Sequence, residues 1–142
     1  MNLIRDILLS AVVLLISLQT AAQDLPLTDT GMLIVEHRVD SLCQLAGTAF
    51  ENDDALIAGV LLREAVEMSE RAEYRNGSGR CHYLQGLLYE RQDDLPMALR
   101  EYFTAVREFE WAGNYDMIAE VYSRMGDLYK AGGLYSKAAE YY

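Results

Sequence analysis

The stretch HYLQGLLY, residues 82–89, recurs 40 residues later as YSRMGDLY, residues 122–129. LCQLAGTA, residues 42–49, precedes the first by the same interval and has a related order of large and small side chains. The small residue at the fifth position of each stretch is Ala46, Gly86 or Gly126. A fixed period in this range is typical of a repeat protein, whose units bury a core only against their neighbours.

Two helices per unit are predicted from the spacing of apolar side chains. Each stretch repeats them at intervals of 3, 4 and 7, which is one face of an α-helix, and a second such face follows in each unit. Polar or glycine-rich breaks are predicted to separate the helices, and no segment alternates like a strand. The breaks are Asn52-Asp53-Asp54, Asn76-Gly77-Ser78-Gly79, Asp93-Asp94, Gly113-Asn114 and Gly132-Gly133.

The helix starts carry their own signals. Asp54 is predicted to cap the second helix of the first unit, and Pro96 is expected in the first turn of its counterpart in the next unit. The sequence therefore predicts an all-α solenoid of antiparallel helix pairs. Its three units are 39–78, 79–118 and 119–142, and the last is truncated.

The amino terminus has the layout of a secretory signal peptide. A short start with Arg5 is followed by the uncharged apolar run 7–18 and by small residues up to Ala22. The run has 12 residues, whereas a membrane-spanning helix needs roughly 20. We expect a signal peptide over 1–22, cleavage after Ala22, and an exported protein in a periplasmic or extracytoplasmic compartment. Residues 23–38 would form a leading segment and the start of the first helix.

Charge and cysteine content restrict the function further. The net charge of −10 repels phosphate backbones, so nucleic acid is not expected as a partner. After signal cleavage no membrane contact is expected. Cys43 and Cys81 are too few for a disulfide scaffold and match no metal motif. Export would permit a disulfide, but we predict that the two cysteines are buried free thiols.

The repeat columns resemble the tetratricopeptide repeat, across residues 39–142. In that family a large residue is followed by a small residue four positions on and then by an aromatic, as in Tyr122, Gly126 and Tyr129. The period of 40 exceeds the usual 34, and the added residues are expected around 109–116. Such longer units resemble those of bacterial extracytoplasmic and signalling proteins. Armadillo-like repeats overlap this period, but the small-residue columns favour the tetratricopeptide family.

The resemblance implies a protein that binds a protein or peptide and has no catalysis of its own. First helices of successive units would line a concave groove. An alternative is the extracytoplasmic sensor segment of a longer membrane-bound regulator, such as a histidine kinase or a transcription factor.

Within that groove the middle unit supplies the predicted contact residues, because exposed aromatics beside arginines are typical of binding hot spots. They are Arg80, Tyr83, Leu87 and Arg91. The competing interpretation is a solvated face with Tyr83 half-buried against a neighbour. The family's carboxylate-gripping lysines, arginine and asparagines are missing at the matching positions, so that mode of binding is not predicted.

No catalytic, cofactor or metal site is predicted. His82 occupies a core column and is expected to be packed and hydrogen-bonded. His37 lies near Glu36 and Asp40, but a metal site there is not expected. Gly77-Ser78-Gly79 follows a helix rather than a strand, so it does not indicate a phosphate loop.

The last helix is expected to be short, and repeat stacks usually end in a polar capping helix. We expect the sequence to be the front part of a longer protein. The alternative is self-association through the uncapped last helix.

Overall fold

The computed structural model of the protein describes residues 29–142. Six helices follow one another there, and this part of the chain contains no strand. They are α1 (Asp29–Glu51), α2 (Ala55–Arg71), α3 (Arg75–Arg91), α4 (Leu95–Ala112), α5 (Tyr115–Ala131) and α6 (Tyr135–Tyr141). The predicted all-α fold, with helices that pack in consecutive pairs, is confirmed.

Residues Gly31–Tyr142 form one compact body. It contains the six helices, apart from the first two residues of α1. The predicted signal peptide over 1–22, its cleavage after Ala22 and residues 23–28 of the leading segment lie outside the described residues.

Two apolar clusters form the core of the compact body Gly31–Tyr142. The first joins buried residues of α1 and α2 with Cys81 and Leu88 of α3, and the second joins α4 with α5. The predicted second-helix face of the middle unit is buried in full. Its members are Ala98, Tyr102, Ala105, Val106 and Phe109.

Gly86 makes room for the ring of Tyr102. A Cβ atom built on Gly86 would lie 2.3 Å from Cε1 of that ring, which is fully buried. Gly126 faces the ring of Tyr142 in the same way, at 2.9 Å. The small-residue column was predicted to let paired helices approach, and the structure specifies how. The atoms that come close belong to an aromatic ring, which lies on the second helix at Tyr102 and directly after it at Tyr142.

Every described helix before α6 ends in the same turn, and these turns recur at intervals of 20 residues. One residue in each adopts a left-handed conformation, with φ between 53° and 73°: Asp53, Glu73, Asp93, Gly113 and Gly133. The next residue donates its N–H to the carbonyl five positions back, over 2.8–2.9 Å. This is the Schellman arrangement, which satisfies carbonyls at the end of a helix.

The turn predicted at residues 76–79 was wrong. The chain turns at 72–74, and Gly77, Ser78 and Gly79 are buried in the first two turns of α3. A Cβ on Gly77 would lie 2.3 Å from the Tyr74 ring, and one on Gly79 would lie 2.7 Å from the Phe109 ring. These glycines allow close approach of rings, and the left-handed position is taken by Glu73 instead.

One further expectation needs correction, whereas the position of the added residues around 109–116 stays a prediction. α3 and α5 have 17 residues each and α4 has 18. Asp54 occupies the N-cap position of α2 without a side-chain capping bond. Asp94 and Asn114 do accept such bonds, from the backbone N–H groups of Met97 and Met117. Pro96 lies in the first turn of α4, as predicted.

We predict that Gly86→Ala lowers the free energy of unfolding by about 1–3 kcal/mol, the usual cost of overpacking a filled core. The new methyl group would collide with the Tyr102 ring. Urea denaturation followed by circular dichroism measures the change. The first unit has Ala46 and Leu62 at the corresponding positions. Gly86→Ala combined with Tyr102→Leu should therefore cost less than the sum of the two single changes.

The matched control is Gly59→Ala in the interior of α2. A Cβ there meets no atom within 4 Å, so this change should stabilise the protein by about 0.5–1 kcal/mol through the entropy of the unfolded chain. If Gly86→Ala raised the free energy of unfolding as Gly59→Ala should, the close approach of the Tyr102 ring to Gly86 would be contradicted.

A second prediction concerns the turn between α2 and α3. Glu73 is exposed and held at φ 53°, a conformation that costs a residue with a Cβ roughly 1–2 kcal/mol. Glu73→Gly should therefore raise the free energy of unfolding by about 0.5–1 kcal/mol once the greater freedom of glycine in the unfolded chain is deducted. Gly113→Ala, at φ 69°, should shift the urea midpoint the opposite way. Equal signs for the two changes would rule out this explanation.

Candidate functional site

The first helices of successive units, α1, α3 and α5, are joined by polar contacts. Between α1 and α3, Arg80 Nη1 donates to Asp40 Oδ1 over 2.8 Å. Arg91 Nη1 donates to the Phe50 carbonyl over 2.6 Å, and its guanidinium lies 3.6 Å from the centre of the Phe50 ring. These contacts lie near opposite ends of the stretch over which α1 and α3 are neighbours, so they hold the two helices side by side.

The contact between α3 and α5 is built differently. The Tyr83 hydroxyl donates to Glu120 Oε1 over 3.1 Å. Glu90 Oε2 accepts from Arg124 Nε over 3.1 Å and from the Tyr102 hydroxyl over 2.8 Å. Glu90 thereby connects the buried Tyr102 ring of α4 to Arg124 of α5, in the next unit along the chain.

The four predicted contact residues lie together on α3, and each also contacts its own chain. Arg80 and Arg91 bind groups of the first unit. Tyr83 is half-buried, and burial, with a smaller contribution from its hydrogen bond to Glu120, raises its pKa to about 12. Leu87 is half-buried against the second apolar cluster. The half-burial of Tyr83 agrees with the competing interpretation of this face, and the binding role of the four residues stays a prediction.

Charges of alternating sign stand at one column of the repeat, at Asp40, Arg80 and Glu120. Asp40 and Arg80 are ion-paired, with side chains about two-fifths exposed. Such a pair contributes little to stability, roughly 0–1 kcal/mol, and it can form only when one unit lies in this register on the next. The first helices thus present a face of partly exposed charged and aromatic side chains.

A second exposed cluster was missed in the sequence. Trp111, at the end of α4, is 62% exposed and lies under the guanidinium of Arg75, 4.5 Å from its ring centre, with Arg107 at 5.7 Å. Arg75 also pairs with the buried carboxylate of Glu108 over 3.1 Å. An open depression of about 460 Å³ is lined by residues that include the neighbouring Asn76 and Ala112. Arg75 and Trp111 are 36 positions apart, and only the fold brings them together.

The remaining polar residues of the core are accounted for by packing. His82 Nδ1 lies 2.8 Å from Glu101 Oε2 and both side chains are nearly buried, which confirms the predicted packed and hydrogen-bonded histidine. In the described part of the chain, every buried side-chain nitrogen or oxygen has a hydrogen-bond partner.

Over residues 29–142, no group of three or more His, Cys, Asp or Glu side chains is arranged to hold a metal ion. Within the same residues, no helix has the length and apolar character needed to cross a bilayer.

Comparisons of the chain with protein-family models, with curated proteins and with solved structures gave no match. The resemblance to the tetratricopeptide family therefore rests on the residue columns of this sequence. The feature of this chain that bears on function is the face that α1, α3 and α5 form.

We predict that Asp40 and Arg80 are coupled by about 0.2–1 kcal/mol in a double-mutant cycle, the range measured for exposed ion pairs. Arg80→Glu should lower the free energy of unfolding, and adding Asp40→Arg should restore part of the loss. Because solvent ions screen such pairs, the coupling measured by urea denaturation should shrink at high salt. A coupling of zero at low salt would show that the pair does not hold the two helices in register.

Proposed function

We propose that this protein is an exported, non-catalytic scaffold of the tetratricopeptide type that binds a protein or peptide on the face formed by α1, α3 and α5. We name this the first-helix face. The observation that carries the proposal is the ordered set of contacts from unit to unit, Asp40 to Arg80 and Glu90 to Arg124. They fix the relative positions of three helices, so a ligand would meet a preformed surface, and preformed surfaces lose less entropy on binding.

The chemistry of this face supports a peptide with charges of both signs. Arg80 and Arg91 are partly exposed on α3, the helix that also carries Tyr83, and the Tyr83 hydroxyl donates to the exposed Glu120. Arginine and tyrosine are enriched in binding hot spots because each combines a broad contact area with directional hydrogen bonds. Export is supported by the order of charged, apolar and small residues over 1–22.

The test begins with selection of displayed random peptides on the purified protein in a reducing buffer. The affinity of an enriched peptide is then measured by calorimetry for the wild type and for the swapped pair, Asp40→Arg with Arg80→Glu. The swap can still form the ion pair between α1 and α3 while it reverses the charge at both positions. We expect the dissociation constant to rise by at least about tenfold.

The matched control is Arg63→Ala, which removes an exposed arginine from α2. It should leave the dissociation constant unchanged within about twofold, since surface changes outside a contact have small effects. Circular dichroism establishes that all variants are folded. Failure to enrich any peptide, or equal affinities for the wild type and the swapped pair, would count against binding at this face.

A further inference from the structure

Cys43 of α1 and Cys81 of α3 lie against each other in the core. Their Sγ atoms are 2.9 Å apart, and the two residues are only 2% and 0% exposed. Both belong to the first apolar cluster. The sequence predicted buried thiols, and burial is confirmed, but the contact between two cysteines 38 positions apart was not anticipated.

The spacing of the two cysteines does not follow from the repeat. In the 40-residue frame Cys43 corresponds to Tyr83 and Ser123, and Cys81 corresponds to Ser41 and Val121. The cysteines therefore come from two different columns, and they meet only because α1 and α3 lie side by side. No other unit has a cysteine at either position.

The surroundings leave the two sulfurs little distance to travel. They need to approach by about 0.9 Å to reach the 2.05 Å bond length of a disulfide. Arg80 binds Asp40 one turn from this pair, and Arg91 binds Phe50 further along the same helices. The backbones that carry the cysteines are thus already held together by contacts that do not involve sulfur.

We propose that Cys43 and Cys81 are a modification site: they form an intramolecular disulfide that joins the first helices of the first two units. The oxidant is a second disulfide, either of a small thiol such as glutathione or of a thiol–disulfide oxidoreductase. The thiolate of one cysteine attacks it to give a mixed disulfide and releases one thiol. The thiolate of the other cysteine then displaces the second thiol, so the protein loses two protons and two electrons and the oxidant gains them.

The two thiols form one hydrogen bond in which either sulfur can be the donor. The thiolate is the nucleophile in disulfide exchange, so the geometry allows either cysteine to attack first and places the other within reach for the second step.

The proposal does not depend on partner binding at the first-helix face, and only its occurrence in cells depends on export. The binding assay above is carried out in reducing buffer. A protein without the disulfide could therefore still bind a peptide, and a protein without binding could still form the disulfide.

The experiment incubates the purified full-length protein in buffers of increasing ratio of oxidised to reduced glutathione. Free thiols are then alkylated under denaturing conditions, and intact mass and peptide mapping identify the bonds. A parallel series refolds the protein from urea in the same buffers, so that burial of the thiols cannot block the oxidant. We expect one linked peptide pair, Cys43 with Cys81, in the refolded series at least, and a thermal midpoint about 10 °C above that of the reduced protein.

Two single variants test the pairing. Cys43→Ser and Cys81→Ser should each lose the linked peptide pair and the rise of the thermal midpoint in oxidised glutathione, because each keeps only one of the two thiols. Two free thiols in every buffer of both series, or a linked form that melts below the reduced one, would overturn the proposal.

Discussion

The ring of Tyr102 occupies the space that a missing side chain leaves at Gly86, and contacts among α3, α4 and α5 meet at this ring. This close approach joins α3 to the face of α4 whose members, Ala98, Tyr102, Ala105, Val106 and Phe109, are buried. It also directs the Tyr102 hydroxyl to Glu90, which in turn binds Arg124 of the next unit. A single ring therefore links the packing inside one helix pair to the contact between pairs.

Periodicity predicted the helices well because each helix pair is packed in the same way. Each pair needs a small residue opposite a large one, so the columns at Gly86 and Tyr102 were visible in the sequence before any coordinate. The position of the turn between α2 and α3 was not visible in the sequence. Gly77 and Gly79 have the composition of a turn, but their lack of a Cβ serves the close approach of the Tyr74 and Phe109 rings. Nothing in the residue type of Glu73 marks it as left-handed.

For the candidate site, the sequence indicated which residues share a face but not what they touch. Arg80, Tyr83, Leu87 and Arg91 do lie on one helix. Their intramolecular partners depend on how far one first helix is shifted along the next, and a repeat period does not give that distance. Asp40 is 40 positions from Arg80, but Glu120 is 37 from Tyr83 and Cys81 is 38 from Cys43. Such offsets are set by side-chain packing between helices and require the three-dimensional structure.

The recurrence of one turn at 53, 73, 93, 113 and 133 also limits how this chain can change in length. An α-helix advances by about 100° per residue, so the loss of one residue inside a helix would rotate the remainder of that helix relative to its neighbours. Removal or addition of 40 consecutive residues would instead return every column to its place. Variation in length should therefore be tolerated in whole helix pairs, and the number of units can change more easily than the length of any one of them.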